Sequence, residues 1–189
     1  KFAKQAIKDG CKYAIIDEKE YLSENCILVE DVLKSLQSLS SYHRETLNIP
    51  LIGITGTNGK TTTKELIHST LSSKYNCYST KGNLNNHIGV PLSLLEITDK
   101  TEIAVIEMGA NHIGEIDFLC KLSKPTHGIV TNIGMAHLEG FGNFEGVIKA
   151  KSELYHFIKN TNGTLFFMDF PNSFSLCKKK LLLLFICVK

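Results

Sequence analysis

The chain has 189 residues and carries 21 Lys and Arg against 19 Asp and Glu, a formal net charge of +2. At roughly 150 residues per domain this is one domain or one and a fraction. The near-balance of charge excludes a strongly basic nucleic-acid module and an acidic tail protein. A hydrophobic share of 43% and a charged share of 21% exclude disorder and leave a globular chain long enough to bury a real core.

Residues 1–10 read as a helical turn, with Phe2, Ala3, Ala6 and Ile7 apolar. There is no apolar signal-peptide core, and a start at Lys1 reads as one inside a longer product. Tyr13 to Ile16 and Ile27 to Val29 are expected short strands. Asp31 is expected to cap a helix in which Val32, Leu33, Leu36 and Leu39 recur at helical spacing. The polar stretch SSYHRETLN before Pro50 reads as a linker, with a domain boundary near Asn48. Residues 1–48 then end one domain, and residues 49–166 form the front part of another. From Leu51 the rhythm is strand, loop, helix, repeated: a strand over Leu51 to Thr55, a helix over Thr61 to Leu71, and a near-continuous apolar strand over Ile103 to Met108. A helix over Ile113 to Leu122, a strand over Gly128 to Thr131, a helix over Phe144 to Ile158 and a strand over Thr164 to Phe167 follow. This alternation predicts an α/β fold: a parallel sheet with helices on both faces.

Residues 167–189 depart from that pattern. The apolar run Leu181 to Val188 is far shorter than the roughly 20 residues of a membrane-spanning helix. It reads either as a buried strand or, preferred here, as a tail that is not the natural continuation, as after a frameshift. Exposed, it is an aggregation hazard. The six cysteines (Cys11, Cys26, Cys77, Cys120, Cys177 and Cys187) include no C-x-x-C pair. Reduced thiols in a cytoplasmic protein are therefore expected, rather than a disulfide framework or zinc site.

The strongest chemical signal is Gly53-Ile-Thr-Gly56-Thr-Asn-Gly59-Lys60-Thr61-Thr62. An apolar strand runs into a glycine loop, then Lys and Thr, then a helix. Glycines let the backbone turn tightly and aim N–H groups inward, and the helix N-terminus adds partial positive charge. Lys60 is expected to reach the β- and γ-phosphates and the Thr61 hydroxyl to sit on Mg²⁺. The strict pattern G-x-x-x-x-G-K-[ST] fails by one position, because residue 54 is Ile. A plain glycine turn explains Gly56 and Gly59 but not Gly-Lys-Thr-Thr opening a helix directly after a strand.

GITGTNGKTTTKELI resembles the nucleotide loop of the Mur ligases, ATP-dependent amide-bond ligases of peptidoglycan synthesis with folylpolyglutamate synthase among their relatives. Three further stretches, KGNLNNHIGVPLSLL (Lys81 to Leu95), VIEMGANHIGEIDFL (Val105 to Leu119) and TNIGMAHLEGFGNFEGVIKAKSELY (Thr131 to Tyr155), resemble the F-type branch of that family. Residues 14–44 resemble the end of its N-terminal, nucleotide-sugar-binding domain. The resemblance implies a three-domain ligase with ATP and Mg²⁺ as cofactors. Its implied substrates are UDP-N-acetylmuramoyl-tripeptide and D-alanyl-D-alanine, joined through an acyl phosphate. It also implies a cytoplasmic monomer with no nucleic-acid or membrane partner. The rest of the central domain and the C-terminal domain are not in this chain, so the expectation for the chain itself is an inactive fragment or a non-catalytic ATP-binding module. A kinase or GTPase reading fits less well, because no guanine-reading N-K-x-D element is present.

Gly56, Thr57, Asn58, Gly59, Lys60, Thr61 and Thr62 are the expected nucleotide-binding stretch. Glu107 ends the IAVIE strand, where a carboxylate is awkward to bury unless paired or metal-bound; the resemblance implies a Mg²⁺ ligand. His137, in NIGMAHLEGF, reads from sequence as a surface or hydrogen-bonded loop residue, since imidazole on Mg²⁺ is unusual; the resemblance implies that it binds a second Mg²⁺. Lys151 reads as a solvated helix lysine; the resemblance implies a carbamylated lysine supporting the second metal, with Lys149 as the competing candidate. Asn83, Asn85, Asn86 and His87 read as an Asn-Gly turn, and the resemblance implies contact with the peptide-bearing substrate. Asn111 and His112 are expected to line the same cleft. His43, His68 and His156 read as ordinary helix residues, and Glu139 is left open.

Overall fold

The computed structural model describes residues 2–135 and 138–166. His137 and the tail 167–189 lie outside the described residues. The first unit is small. Helix α1 (Ala3–Lys8) precedes two parallel strands, β1 (Ala14–Ile16) and β2 (Cys26–Leu28). Helix α2 (Val32–Thr46) follows, and the Asp31 carboxylate accepts the Lys34 N–H at 2.9 Å as the capping expectation requires.

The second unit is a five-stranded sheet. Its strands are β3 (Leu51–Thr55), β4 (Cys77–Ser79), β5 (Ile103–Glu107), β6 (His127–Val130) and β7 (Thr164–Phe166). They lie in the order β4-β5-β3-β6-β7, and every pairing is parallel. Parallel neighbours need crossovers, and helices supply them: α3 (Lys60–Leu71), α4 (Gly89–Leu95), α5 (Glu115–Ser123), α6 (Leu138–Phe141) and α7 (Phe144–Asn160). The α/β expectation therefore holds, with helices on both faces. Ile52, Ile54 and Val105 pack beneath α3 with Ile67 and Leu71. Leu51, Ala104 and Ile106 face α4, α5 and α7 through Leu94, Ile116, Leu119, Leu154 and Ile158. All five β3 residues are buried, which explains the apolar run Leu51 to Ile54 that Thr55 closes. Among the described residues, no helix is long and apolar enough to cross a membrane.

Strand β4 and helices α4 and α6 have no counterpart in the sequence reading, and several other elements differ in length. Strand β4 is only three residues long, too short for an apolar period to show. Helix α4, GVPLSLL, contains a glycine and a proline that local propensity counts against a helix. Its Gly89 is needed because a Cβ there would collide with the Leu84 backbone, and Pro91 sits in the first turn, where no intrahelical N–H is lost. Helix α5 starts at Glu115 rather than Ile113. Gly114 turns into the left-handed region (φ 93°), and the Glu153 carboxylate from α7 takes the N–H groups of Gly114 at 2.7 Å and Asp117 at 3.0 Å.

Helix α2 precedes the boundary read near Asn48, yet it packs on α4 and α5. Arg44 fastens it there and is 6% exposed. Its guanidinium donates to the carbonyls of Ser123 (2.8 Å), Leu47 (2.8 Å), Lys124 (3.2 Å) and Ile49 (3.3 Å). Burial lowers its pKa from the ordinary arginine value. Each orphaned buried acceptor costs about 1–3 kcal/mol, so Arg44→Ala is expected to destabilise the chain by about 3 kcal/mol in urea denaturation. A loss under about 1 kcal/mol would show that these carbonyls find water instead.

Candidate nucleotide site

Strand order places the site. The chain leaves β3 for the edge at β4, returns to β5, then crosses to β6 on the far side of β3. Ligands of open α/β sheets bind outside the carboxyl ends of the strands at such a reversal. Three loops meet there: Gly56–Gly59 after β3, the segment after Glu107 that ends β5, and Thr131–Asn132 after β6.

The glycine loop is held by its neighbours. Gly56 has φ 147°, and a Cβ on it would collide with the Thr131 hydroxyl. That hydroxyl donates to the Asn58 carbonyl at 2.6 Å. The Thr57 N–H donates to the Asn132 carbonyl (3.1 Å), and the Asn58 N–H to the Asn132 side-chain carbonyl (2.8 Å). Gly59, at φ 76°, turns the chain into α3. The glycine pattern that fails the strict spacing thus has a physical reading. Residue 54 is a buried strand position, and the tight approach falls at Gly56.

Lys60 opens α3, and its Nζ donates to the carbonyls of Gly56 (2.9 Å) and Thr57 (3.1 Å). Burial lowers its pKa, partly offset by the Glu107 carboxylate. Glu107 is 1% exposed. One of its carboxylate oxygens accepts the Thr61 hydroxyl at 3.0 Å and the other accepts the Asn85 amide at 2.8 Å. A hydroxyl and a carboxylate side by side are hard oxygen donors, and Mg²⁺ takes one or two carboxylates together with substrate phosphates and water. Among the described residues, no group of three or more His, Cys, Asp or Glu side chains could hold a metal. The donor set fits a phosphate-bridged Mg²⁺ better than an all-protein cage.

A cavity of about 810 Å³ opens beside the loop. Gly56, Thr57 and Lys60 line it, and so do Asn85, Asn86, His87, Asn111 and Lys151 among others. Asn83 is exposed and does not line it, and Asn58, Gly59 and Thr62 lie off its wall. Part of the asparagine cluster is structural: the Asn86 side chain accepts the N–H groups of Ile88 (3.0 Å) and Gly89 (2.9 Å) at the start of α4. Of the histidines read as ordinary, His43 bonds the Ile97 carbonyl at 2.7 Å and His68 the Cys77 carbonyl at 3.1 Å.

Lys151 is not the solvated lysine that its sequence context suggests. It is 3% exposed, 3.4 Å from the Ala110 carbonyl and 5.4 Å from the Phe141 ring centre. Burial is the main force that lowers its pKa to about 8. Nearby Lys60 adds to the shift, and Glu115 and Glu153 oppose it. Between about 8 and 10.5 the unfolded chain holds a proton that the folded chain has released. Stability from this group therefore rises with pH through that window and is withheld below it. Lys151→Met is expected to flatten the pH dependence of urea stability there; an unchanged slope would mean the ammonium is solvated.

Several members of the site escape sequence reading. Gln37 of α2 lines the cavity and donates to the His87 carbonyl at 3.0 Å, fifty residues away, with no local signal. Glu115 accepts the N–H groups of Asn111 (2.6 Å) and His112 (3.1 Å). Burial pushes its pKa up, but these backbone bonds and His112 outweigh it and leave the carboxyl below the usual range. Thr131 and Asn132 carried a usable clue, a polar pair directly after a strand end.

The model of the Mur ligase middle domain matches residues 54–181. The chain is 43% identical over 157 residues to the UDP-N-acetylmuramoyl-tripeptide–D-alanyl-D-alanine ligase of Bacillus subtilis, covering 82% of this chain and 34% of that protein. Among solved structures it resembles MurF from Acinetobacter baumannii (TM-score 0.76, 42% identity, 82% of this chain and 34% of that one). It also resembles MurF ligase from Thermotoga maritima in complex with ADP (TM-score 0.75, 35% identity, 84% and 37%). The chain spans about a third of the length of these relatives. With a parallel sheet, a lysine-bearing glycine loop and a family match over most of its length, the chain belongs to the Mur ligase family.

Proposed function

We propose that the chain is the nucleotide-binding part of an ATP-dependent ligase. The ligase joins D-alanyl-D-alanine to UDP-N-acetylmuramoyl-tripeptide in peptidoglycan synthesis. The observation that carries this is the Thr61 hydroxyl on the buried Glu107 carboxylate, directly beneath a glycine loop and Lys60. Residues 1–48 are read as the end of the nucleotide-sugar-binding domain and residues 49–166 as the front of the ATP-binding domain.

The residues divide the work. The N–H groups of Thr57 and Asn58 are taken by Asn132, so those of Gly59, Lys60 and Thr61 at the start of α3 are the ones to meet phosphate, and the Lys60 ammonium would exchange its loop carbonyls for the transferring phosphoryl group. Thr61 and Glu107 are the groups to hold Mg²⁺, which supplies charge neutralisation between phosphates when bound; His137 is the candidate for a second ion. Phosphoryl transfer to the peptide carboxylate gives an acyl phosphate, and amine attack on it gives the amide and phosphate. The work is mostly positioning and charge neutralisation. Asn85, Asn86, His87 and Asn111 face the cavity in which the peptide would lie. Lys151, with its pKa lowered to about 8, gives up its proton more readily than an ordinary lysine, and carbamylation by CO₂ requires the neutral amine.

The test is substrate-dependent release of phosphate from ATP by the ligase that contains this chain. Release should require both the muramoyl tripeptide and D-alanyl-D-alanine, and the product should gain one D-alanyl-D-alanine unit. Turnover with a folate and glutamate instead would replace this reading with a folylpolyglutamate-synthase one.

A further inference from the structure

Among the described residues, the largest fully buried side chain outside the proposed chemistry is a cation. Lys64 lies on α3, one turn beyond Lys60 and Thr61, and is 0% exposed. Its Nζ donates to the Thr80 carbonyl at 2.6 Å and meets the Glu65 carboxylate, on the exposed side of the helix, at 2.9 Å. A buried ammonium is costly, and a hydrocarbon of equal length often fills such a place at no loss of stability. A lysine kept here calls for a reason beyond packing.

The bonds around Thr80 supply one. Its hydroxyl accepts the Glu107 N–H at 3.0 Å, and its own N–H donates to the Val105 carbonyl at 3.0 Å. Thr80 thus joins the end of β4 to the last residues of β5, and Lys64 clamps it from α3. The loop that begins at Thr80 returns at Asn85. There the side-chain amide donates to Glu107 and the carbonyl accepts the Gly109 N–H at 2.7 Å. Thr61, on the same helix as Lys64, holds the other Glu107 oxygen. Helix α3 therefore grips Glu107 twice, directly through Thr61 and indirectly through Lys64 and Thr80.

We infer that Lys64 is a positioning residue: it sets the Glu107 carboxylate against the Thr61 hydroxyl, and so tunes the affinity of the site for a divalent cation on a bound nucleotide. The inference rests on the nucleotide reading above, and it concerns a residue that touches neither phosphate nor metal.

The test uses the chain itself, with Lys64→Met, Lys64→Arg and Thr80→Val. ADP binding is titrated by calorimetry in EDTA and again with Mg²⁺, and the readout is the ratio of the two affinities. Outer groups that orient a metal ligand typically govern about 10–100-fold in affinity. Lys64→Met and Thr80→Val should each lower the ratio about tenfold with metal-free ADP binding little changed, and each should lower the thermal midpoint, because the buried Thr80 carbonyl or Glu107 N–H loses its partner. The double variant should lose no more than either alone. Lys64→Arg, which keeps a donor, should retain most of the ratio. A folded Lys64→Met with the wild-type ratio overturns the inference. If Lys64→Met does not fold, a wild-type ratio in Thr80→Val overturns it instead. A wild-type chain whose ADP binding Mg²⁺ does not tighten overturns the nucleotide reading itself, and that outcome is distinct from the other two.

Discussion

Lys60→Ala is expected to lower nucleotide affinity in this chain by at least about 100-fold, and turnover in the parent ligase by about 10²–10³-fold, with the fold intact. The expected loss is electrostatic in origin. Lys60 is the cation at the glycine loop, partly buried, with its Nζ 2.9 Å from one loop carbonyl and 3.1 Å from another. A charge placed in a partly dry site before the reaction needs no reorganisation when phosphate charge shifts. Both loop carbonyls lie at the rim of the open cavity and can turn to water, so the stability change should stay within about 1 kcal/mol. Calorimetric titration with MgATP beside thermal unfolding separates the two effects. Undiminished binding in a folded Lys60→Ala would remove Lys60 from the phosphate site and move the nucleotide to another part of the chain.

The second large effect falls on a residue with no side chain. Gly56→Ala is expected to cost about 1–3 kcal/mol of stability and to abolish measurable nucleotide binding. The added methyl would strike the Thr131 hydroxyl, and the Thr131 and Asn132 N–H groups lie 3.1 Å away. None of these can yield freely. The Thr131 N–H is bonded to the Thr55 carbonyl at 2.9 Å, and its hydroxyl holds Asn58 at 2.6 Å. The φ of 147° is also a conformation that alanine resists. Thr131→Ala in the same chain should relieve the collision but not the backbone strain, so the double variant should recover part of the stability. Full-strength ADP binding by Gly56→Ala alone would show that the loop has room that its geometry denies.

How much of this was legible in sequence follows from how local each signal is. Strand β3 and the turn into α3 were readable because an apolar run, glycines and Gly-Lys-Thr-Thr are neighbours in the chain. Glu107 was readable for the same reason, as a carboxylate closing an apolar strand. Lys151 was misread from its residues alone: KAKSELY looks like a solvated helix face. Its burial depends on Phe141 and the Ala110 carbonyl, brought together only by the crossover from β5 to α7. Lys64 was passed over although Ile67 and Leu71, three and seven residues on, share its face and pack on the sheet, because a lysine is not expected on a buried stripe and Leu66, half exposed, blurs where that stripe lies. Glu153 capping α5 and Gln37 reaching His87 join residues 39 and 50 positions apart, and no window of sequence contains both ends.

The clasp of Arg44 has a consequence for exchanging domains between relatives. Sequence composition puts the seam near Asn48, after α2, but the guanidinium satisfies carbonyls on both sides of that seam, at Leu47 and Ile49, and two more at Ser123 and Lys124. A chimera spliced at Asn48 gives the recipient a foreign α2 in place of the helix that seals its own α4 and α5. A splice ahead of Asp31 keeps α2 with the sheet it covers and cuts only the short stretch between β2 and its cap. In packing, α2 belongs with the sheet that α4 and α5 cover.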